Sequence, residues 1–176
     1  MEPIHNIFDT VTTVDIIILT LSILAAIAAL VGTWMSRFWS VIAAYVSLCL
    51  LHLFPASGVV GGTLVFWGMA AVVATAIGLM LPPEIAGTRC GMPYITIGAL
   101  AGTFTGLIIS QAGMIIGAVV GAMCGAIAYS RTPAGAPLGF PSARFFNFTC
   151  AKGLPVAVTA CMCGLVTISF INLLHP

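Results

Sequence analysis

The stretch that decides the fold is 98-GALAGTFTGLIISQAGMIIGAVVGAMCG-125, in which glycine recurs every fourth residue on both sides of a short break. Residues four apart share one helical face, so each series makes a strip of bare backbone. In water such a strip is unfavourable, because each glycine costs about 1 kcal/mol relative to alanine. In lipid it lets two helices approach closely, which predicts a helix-packing hairpin inside a membrane. The ladder glycines are Gly98, Gly102 and Gly106, then Gly113, Gly117, Gly121 and Gly125.

The composition of the chain agrees with a membrane environment. Of its 176 residues, 61% are apolar and 5% are charged. Soluble domains carry about 25% charged residues, so this chain has too few charges to cover a soluble globule. The basic residues stand apart and form no nucleic-acid-binding run. We therefore expect residues 1–176 to form a single transmembrane domain, with the lipid bilayer as its main partner.

The apolar residues fall into six runs, which predict an all-α, polytopic transmembrane helical bundle. Five glycines and prolines in residues 131–147 predict an irregular loop before the last run. The first run follows an acidic tail without Lys or Arg, so we interpret it as a retained span rather than a cleaved signal. The runs cover residues 16–33, 38–54, 59–81, 94–110, 113–129 and 154–174.

Two geometries fit the glycine hairpin of residues 94–130. Both arms cross the membrane, giving about six spans, or both dip in and return, giving four spans plus a glycine-zipper re-entrant hairpin. In the second geometry Gln111 lies near the midplane, where irregular backbone is tolerated only inside protein or beside water. The two alternatives leave the ends of the hairpin on the same side of the membrane.

The basic residues predict one orientation. Arg37 follows the first run, Arg89 the third, and Arg131, Arg144 and Lys152 surround the last loop. Cytoplasmic loops carry an excess of Lys and Arg, so these three segments are predicted inside and both chain termini outside.

Polar groups inside the runs offer little chemistry. The best candidates for a polar path are Thr103, Thr105, Ser110 and Gln111. Most hydroxyls in such helices bond to their own backbone, which is the competing interpretation. No charged residue is assigned to the interior of a span, which counts against proton-driven transport.

Other reactive side chains have ordinary explanations. Asp15 is interpreted as a helix-start acid and His52 as a hydrogen-bonded surface group. The six cysteines are interpreted as reduced packing residues, with a soft-metal site at Cys150, Cys161 and Cys163 as the weaker alternative. Cys161 and Cys163 are two residues apart and should point to different helix faces. We expect no catalytic residues, no cofactor and no metal, and hence no enzyme.

Several of these motifs resemble a known family. A glycine-rich loop is followed by 98-GALAG-102, by 113-GMIIG-117, by Gly121 with Gly125, and by Lys152-Gly153 before the last run. From residue 59 onward this pattern is similar to the DUF456 family of small bacterial multi-pass membrane proteins. The resemblance implies a bacterial cytoplasmic (inner) membrane location. The acidic residue usual after the second ladder is missing here, so no role for it transfers.

Two functional hypotheses remain open. The first is permeation or transport of a small solute or ion through the glycine-rich broken-helix hairpin, because interrupted helices form transporter sites. The second is a structural or assembly subunit without transport activity, either a homo-oligomer or part of a larger membrane complex. Under the second hypothesis the glycine ladders would hold the assembly together.

Overall fold

A computed structural model describes residues 13–35, 37–53, 59–81 and 91–174 of the chain. Within these ranges every regular element is helical and no strand occurs, which confirms the predicted helical bundle. The helices are α1 (Thr13–Met35), α2 (Arg37–His52), α3 (Gly61–Met80), α4 (Met92–Ile109), α5 (Gln111–Ser130), α6 (Ala143–Phe148) and α7 (Leu154–Leu174), with a 3-10 turn at Ala136–Leu138 and a π-helical segment at Thr149–Gly153.

Five segments are long and apolar enough to cross a membrane. One of them runs without interruption through α6, the π-helical segment and α7, and 67% of it is buried. Only 17% of the α3 span is buried. The α7 segment therefore forms the centre of the bundle, and α3 lies at its edge. A further helix, α2, is apolar but only 16 residues long.

The α4–α5 hairpin has the most extensive helix–helix contact of the described chain. A single residue, Ser110, separates the two helices, so the break is shorter than the interval between the predicted runs 94–110 and 113–129. The Ser110 hydroxyl caps α5 by accepting a hydrogen bond from the Gly113 N–H at 2.9 Å. Gln111 is the first residue of α5 and is exposed.

The two glycine ladders face each other within this hairpin. A Cβ atom on Gly102 would collide with the carbonyl oxygen of Gly117, and one on Gly117 with that of Gly102. The same reciprocal collision relates Gly98 to Gly121. Gly106 pairs in the same way with Gly113, and Gly125 packs on the backbone of Tyr94. The two glycine ladders therefore pack against each other within a single chain.

The α1–α2 hairpin is held by a buried pair of serines. The Ser22 hydroxyl donates to the Ser47 carbonyl at 3.0 Å, and the Ser47 hydroxyl donates to the Ser22 carbonyl at 2.8 Å. Both side chains are 0% exposed. Because each hydroxyl bonds to the opposite backbone, the pair fixes the register of the two helices.

The predicted loop at 131–147 is partly helical, which corrects the sequence interpretation. Ser142 caps α6 by accepting from the Phe145 N–H at 3.1 Å, and Phe145 and Phe148 are buried. The irregular proline-rich stretch therefore ends at Pro141. The last helical segment begins at Ala143 rather than at Leu154.

The glycines of α3 do not form one close-packed face. An added Cβ atom on Gly61 or Gly62 would meet nothing within 4 Å, whereas Gly68 packs against the Tyr45 ring. Only the middle and end of α3 touch the bundle closely, since Trp67, Ala74 and Gly78 are its buried residues.

Candidate functional site

Lys152 is the most unusual side chain of the described chain. It lies in the π-helical segment Thr149–Gly153 and is 0% exposed. The sequence placed it in the basic loop outside the last span, and this prediction was wrong, because the helical segment already starts at Ala143. A buried ammonium is costly unless its surroundings compensate for lost water. A lysine buried within a membrane helix is rare and commonly marks a functional site.

The π-helical geometry has a local cause in Pro155. Proline offers no N–H to the residue four positions earlier, Ala151, and its ring crowds that carbonyl inside an α-helix. A wider turn immediately before the proline relieves this crowding, and π-turns of this kind are frequent at functional sites. Pro155 thus lies inside a continuous helical segment, as the second residue of α7 after the π-helical turn.

Aromatic rings form one wall of the Lys152 site. The Lys152 Nζ atom lies 4.7 Å from the centroid of the Phe148 ring, within cation–π distance. Phe148 stacks on Tyr129 with centroids 5.6 Å apart, and Tyr129 lies 5.8 Å from Tyr94. These rings come from the end of α6, the end of α5 and the start of α4, so they link three helices to the ring that Lys152 contacts.

Gly91 lets these rings close over the start of α4. Its backbone is left-handed, with φ +79, and it is buried. A Cβ atom there would lie 2.7 Å from the Tyr129 ring and 2.8 Å from the Phe148 ring. Glycine is therefore required both by conformation and by space.

Thr96 contributes a buried hydroxyl on the neighbouring stretch of α4. The residue is 5% exposed, and its Oγ1 atom has no hydrogen-bond partner within the described part of the chain. Leaving a buried hydroxyl unsatisfied costs about 1–3 kcal/mol. Because this hydroxyl makes no hydrogen bond among the described residues, it is suited to bind a polar solute transiently.

Thr103 follows Thr96 by seven residues on the same face of α4, and it is 1% exposed. Its methyl group lies 3.2 Å from a Cβ position on Gly164, which places this face of α4 against α7. The Thr103 hydroxyl donates to the Ala99 carbonyl at 2.7 Å, but its oxygen can still accept hydrogen bonds.

The other residues of the predicted polar path lie elsewhere. Thr105 is exposed, and its hydroxyl donates to the Ala101 carbonyl at 2.6 Å. Ser110 and Gln111 are exposed at the hairpin turn, at the opposite end of α4 from Gly91. The four residues therefore do not line a common face: Thr103 faces α7, Thr105 faces outward, and the last two lie at the turn.

The two cysteines of α7 contact different neighbouring helices. Cys161 points to α5, with Sγ 3.9 Å from the Met114 carbonyl, and Cys163 points to α1, with Sγ 3.7 Å from the Ala26 carbonyl. The prediction of different faces is confirmed. Cys150 is exposed, and the described residues contain no cluster of three metal ligands.

His52 is exposed, and its Nδ1 lies 2.7 Å from the Val59 carbonyl oxygen, which confirms a hydrogen-bonded surface group. The interpretation of the Asp15 side chain falls outside the described part of the chain. The same holds for Arg89 and Cys90, which lie outside the described residues.

Comparison of the chain with protein-family models, curated proteins and solved structures finds no match. The DUF456 resemblance accordingly stays a prediction. The function is therefore inferred from the residues themselves.

Sequence reasoning missed Lys152, Thr96 and the aromatic wall. A signal for the earlier helix start was present in Ser142, a capping residue placed three positions before Phe145. Phe145, Phe148 and Lys152 then recur at helical spacing, which places the lysine on the buried face. The prolines of 133–141 concealed this signal, because they favoured a loop over the whole interval.

Proposed function

We propose that this multi-pass membrane protein passes a small solute or ion across the bilayer, and that the route follows the α4–α7 contact rather than the inside of the glycine hairpin. The observation that carries the proposal is the complete burial of Lys152 within a membrane helical bundle. Ionisable residues inside membrane bundles usually belong to substrate or ion pathways.

The hydroxyls of Thr96 and Thr103 support a route on this face of α4. They lie two helical turns apart, and both are buried toward the bundle interior. The backbones of the facing ladder glycines approach so closely that an added Cβ atom would collide, so no comparable space lies between α4 and α5. Ser110 and Gln111, at the hairpin turn, would form the outer mouth.

We further propose that all six apolar helical segments cross the membrane. The α4 and α5 helices have 18 and 20 residues, and about 20 residues cross a bilayer core, so neither arm has the length of a half-helix. With the basic segments inside, Lys152 lies near the cytoplasmic face and both termini lie outside. The DUF456 resemblance suggests a bacterial cytoplasmic membrane.

Flux in proteoliposomes tests the transport proposal. We expect uptake of chloride, nitrate or a small neutral polyol above empty vesicles, and Lys152→Met should lower it about tenfold. Thr103→Val should also lower uptake several-fold. Thr105→Val is its matched control, since both hydroxyls make the same bond to the fourth preceding carbonyl, but Thr105 faces outward. Absence of flux for every solute, or equal effects of the two valine variants, would count against the route.

An assembly role is the second candidate, and one observation favours it. An apolar groove of about 560 Å³ lies between α2 and α3, lined by residues such as Ile42, Tyr45 and Val72. The α3 helix is also the least buried of the candidate spans. Because the ladder glycines are occupied within the hairpin, an oligomer contact is better placed on this groove.

The mass of the protein in native nanodiscs tests this second candidate. A dimer or larger complex should appear, and Val72→Trp in the groove should dissociate it. Ile116→Trp, at an exposed α5 position, is the control. A monomer in the unmodified protein would contradict self-assembly.

A further inference from the structure

A second, smaller groove runs along the outside of the bundle between α5 and the α6–α7 segment. Its volume is about 180 Å³. Val119, Ala122 and Met123 of α5 form one wall. The opposite wall consists of residues on one face of the continuous helical segment, namely Phe146, Thr149, Cys150, Gly153, Leu154 and Ala157.

The groove results from small residues at its floor and a widened helix beside it. A Cβ atom on Gly153 would lie 3.5 Å from the Ala122 Cβ, so the two helices meet closely at this point. Larger side chains rise on both sides, including Val119, which is 48% exposed, and Phe146, which is 50% exposed. The groove consequently opens outward, toward the surroundings of the bundle.

The side chains that line the groove are suited to an apolar ligand. The Thr149 hydroxyl donates to the Phe145 carbonyl at 2.9 Å, and the remaining lining side chains are apolar or cysteine. From Phe146 to Ala157 the wall is about 16 Å long at 1.5 Å per residue. This is close to half of the roughly 30 Å hydrocarbon core, which is the depth of one lipid leaflet.

Cations and aromatic rings lie at the end of the chain segment where the groove begins. Arg144 stands two residues before Phe146, and Arg131 caps the end of α5. Both are exposed. Phe140, 54% exposed, adds an aromatic group of the kind found at membrane interfaces. The described residues from 91 onward contain no acidic side chain, so Arg131 and Arg144 have no carboxylate partner among them.

We propose that this groove binds one acyl chain of an anionic phospholipid, whose headgroup phosphate contacts Arg131 and Arg144. The groove has the length of one leaflet and an apolar lining, and its cationic end lies where a headgroup phosphate would stand. Basic residues at a membrane surface attract anionic lipids. This lipid site is separate from the transport route, because its lining includes none of Lys152, Thr96 and Thr103.

Native mass spectrometry of the whole protein, stripped of lipid in detergent, tests this proposal. The probes are dioleoyl phosphatidylglycerol and dioleoyl phosphatidylcholine, added at equal concentration. We expect one phosphatidylglycerol per chain, retained about tenfold better than phosphatidylcholine. Equal retention of the two lipids, or no retained lipid, would overturn the proposal.

Groove variants separate this site from general lipid adhesion. Val119→Trp and Cys150→Trp fill the groove from its two walls and should each reduce bound lipid several-fold. Ile116→Trp, about one helical turn away and 64% exposed, should retain it. Thermal unfolding of each variant identifies any that fails to fold. If the three tryptophan variants bind lipid alike, or if a protein dimer replaces the lipid in the groove, the proposal fails.

Charge variants test the headgroup contact. Replacing both Arg131 and Arg144 with Gln should abolish the preference for phosphatidylglycerol while chain binding persists. Arg37→Gln, which removes a cation from a different segment, should leave the preference intact. A preference that survives the double replacement would rule out these arginines as the headgroup site.

Discussion

At the scale of single residues, two buried polar groups set the character of the molecule. Lys152 is a fully buried cation over the Phe148 ring, and Thr96 is a buried hydroxyl without a partner among the described residues. The unsatisfied Thr96 hydroxyl lowers the stability of the folded state relative to an apolar residue of similar shape. Such costs are commonly retained where a protein binds or conducts something.

Thr96→Val is expected to stabilise the protein. Valine has nearly the same shape but no hydroxyl to desolvate, so the free energy of unfolding should rise by about 1 kcal/mol. Thermal unfolding in detergent measures the change. Thr103→Val, which loses a 2.7 Å hydrogen bond, should not stabilise. A destabilised Thr96→Val variant would mean that the hydroxyl has a bonding role in the folded state.

At the scale of elements, the glycine ladders are a contact between two particular helices. Their four-residue period was readable from the sequence, because glycine at every fourth position leaves a flat face. The sequence did not show which surface each ladder packs against, since a ladder could equally face another chain. The pairing of Gly102 with Gly117 decides that the hairpin closes on itself.

Gly102→Ala should destabilise the hairpin strongly, because its methyl group would collide with the Gly117 carbonyl. Overpacking of this kind costs about 1–3 kcal/mol or more, which exceeds the gain in helix propensity. Gly62→Ala is the matched control, with open space around the new methyl group. It should be neutral or stabilising by up to about 1 kcal/mol. Unfolding curves measured in detergent compare the two; similar effects would contradict the close approach.

At the scale of the whole molecule, the central position of the α6–α7 segment organises the bundle. Its α7 part touches every other long helix, and its two cysteines contact α5 and α1 from different faces. Both helices of the α4–α5 hairpin pack against it. Transport along the α4–α7 contact requires that the turn of this hairpin and its open end face different compartments.

Cysteine labelling can test the arrangement across the membrane. In a background whose native cysteines outside α7 are replaced by serine, Ala112→Cys should react with an impermeant maleimide added outside intact cells. Ala143→Cys should react only after the membrane is opened. Both positions are exposed, so accessibility depends on the side of the membrane rather than on burial. If Ala112→Cys does not react with the maleimide added outside, the result would favour the re-entrant geometry of the hairpin.

The sequence by itself determined the membrane class, the apolar helices and the glycine hairpin. These follow from composition and from periodicities that lie within one segment. Only the tertiary structure decided that the last helical segment begins at Ala143, that Lys152 is buried under Phe148, and that the ladders face each other. The physical reason is that burial depends on which helix stands opposite. A proline-rich interval and a lone lysine carry no information about that neighbour until the chain has folded.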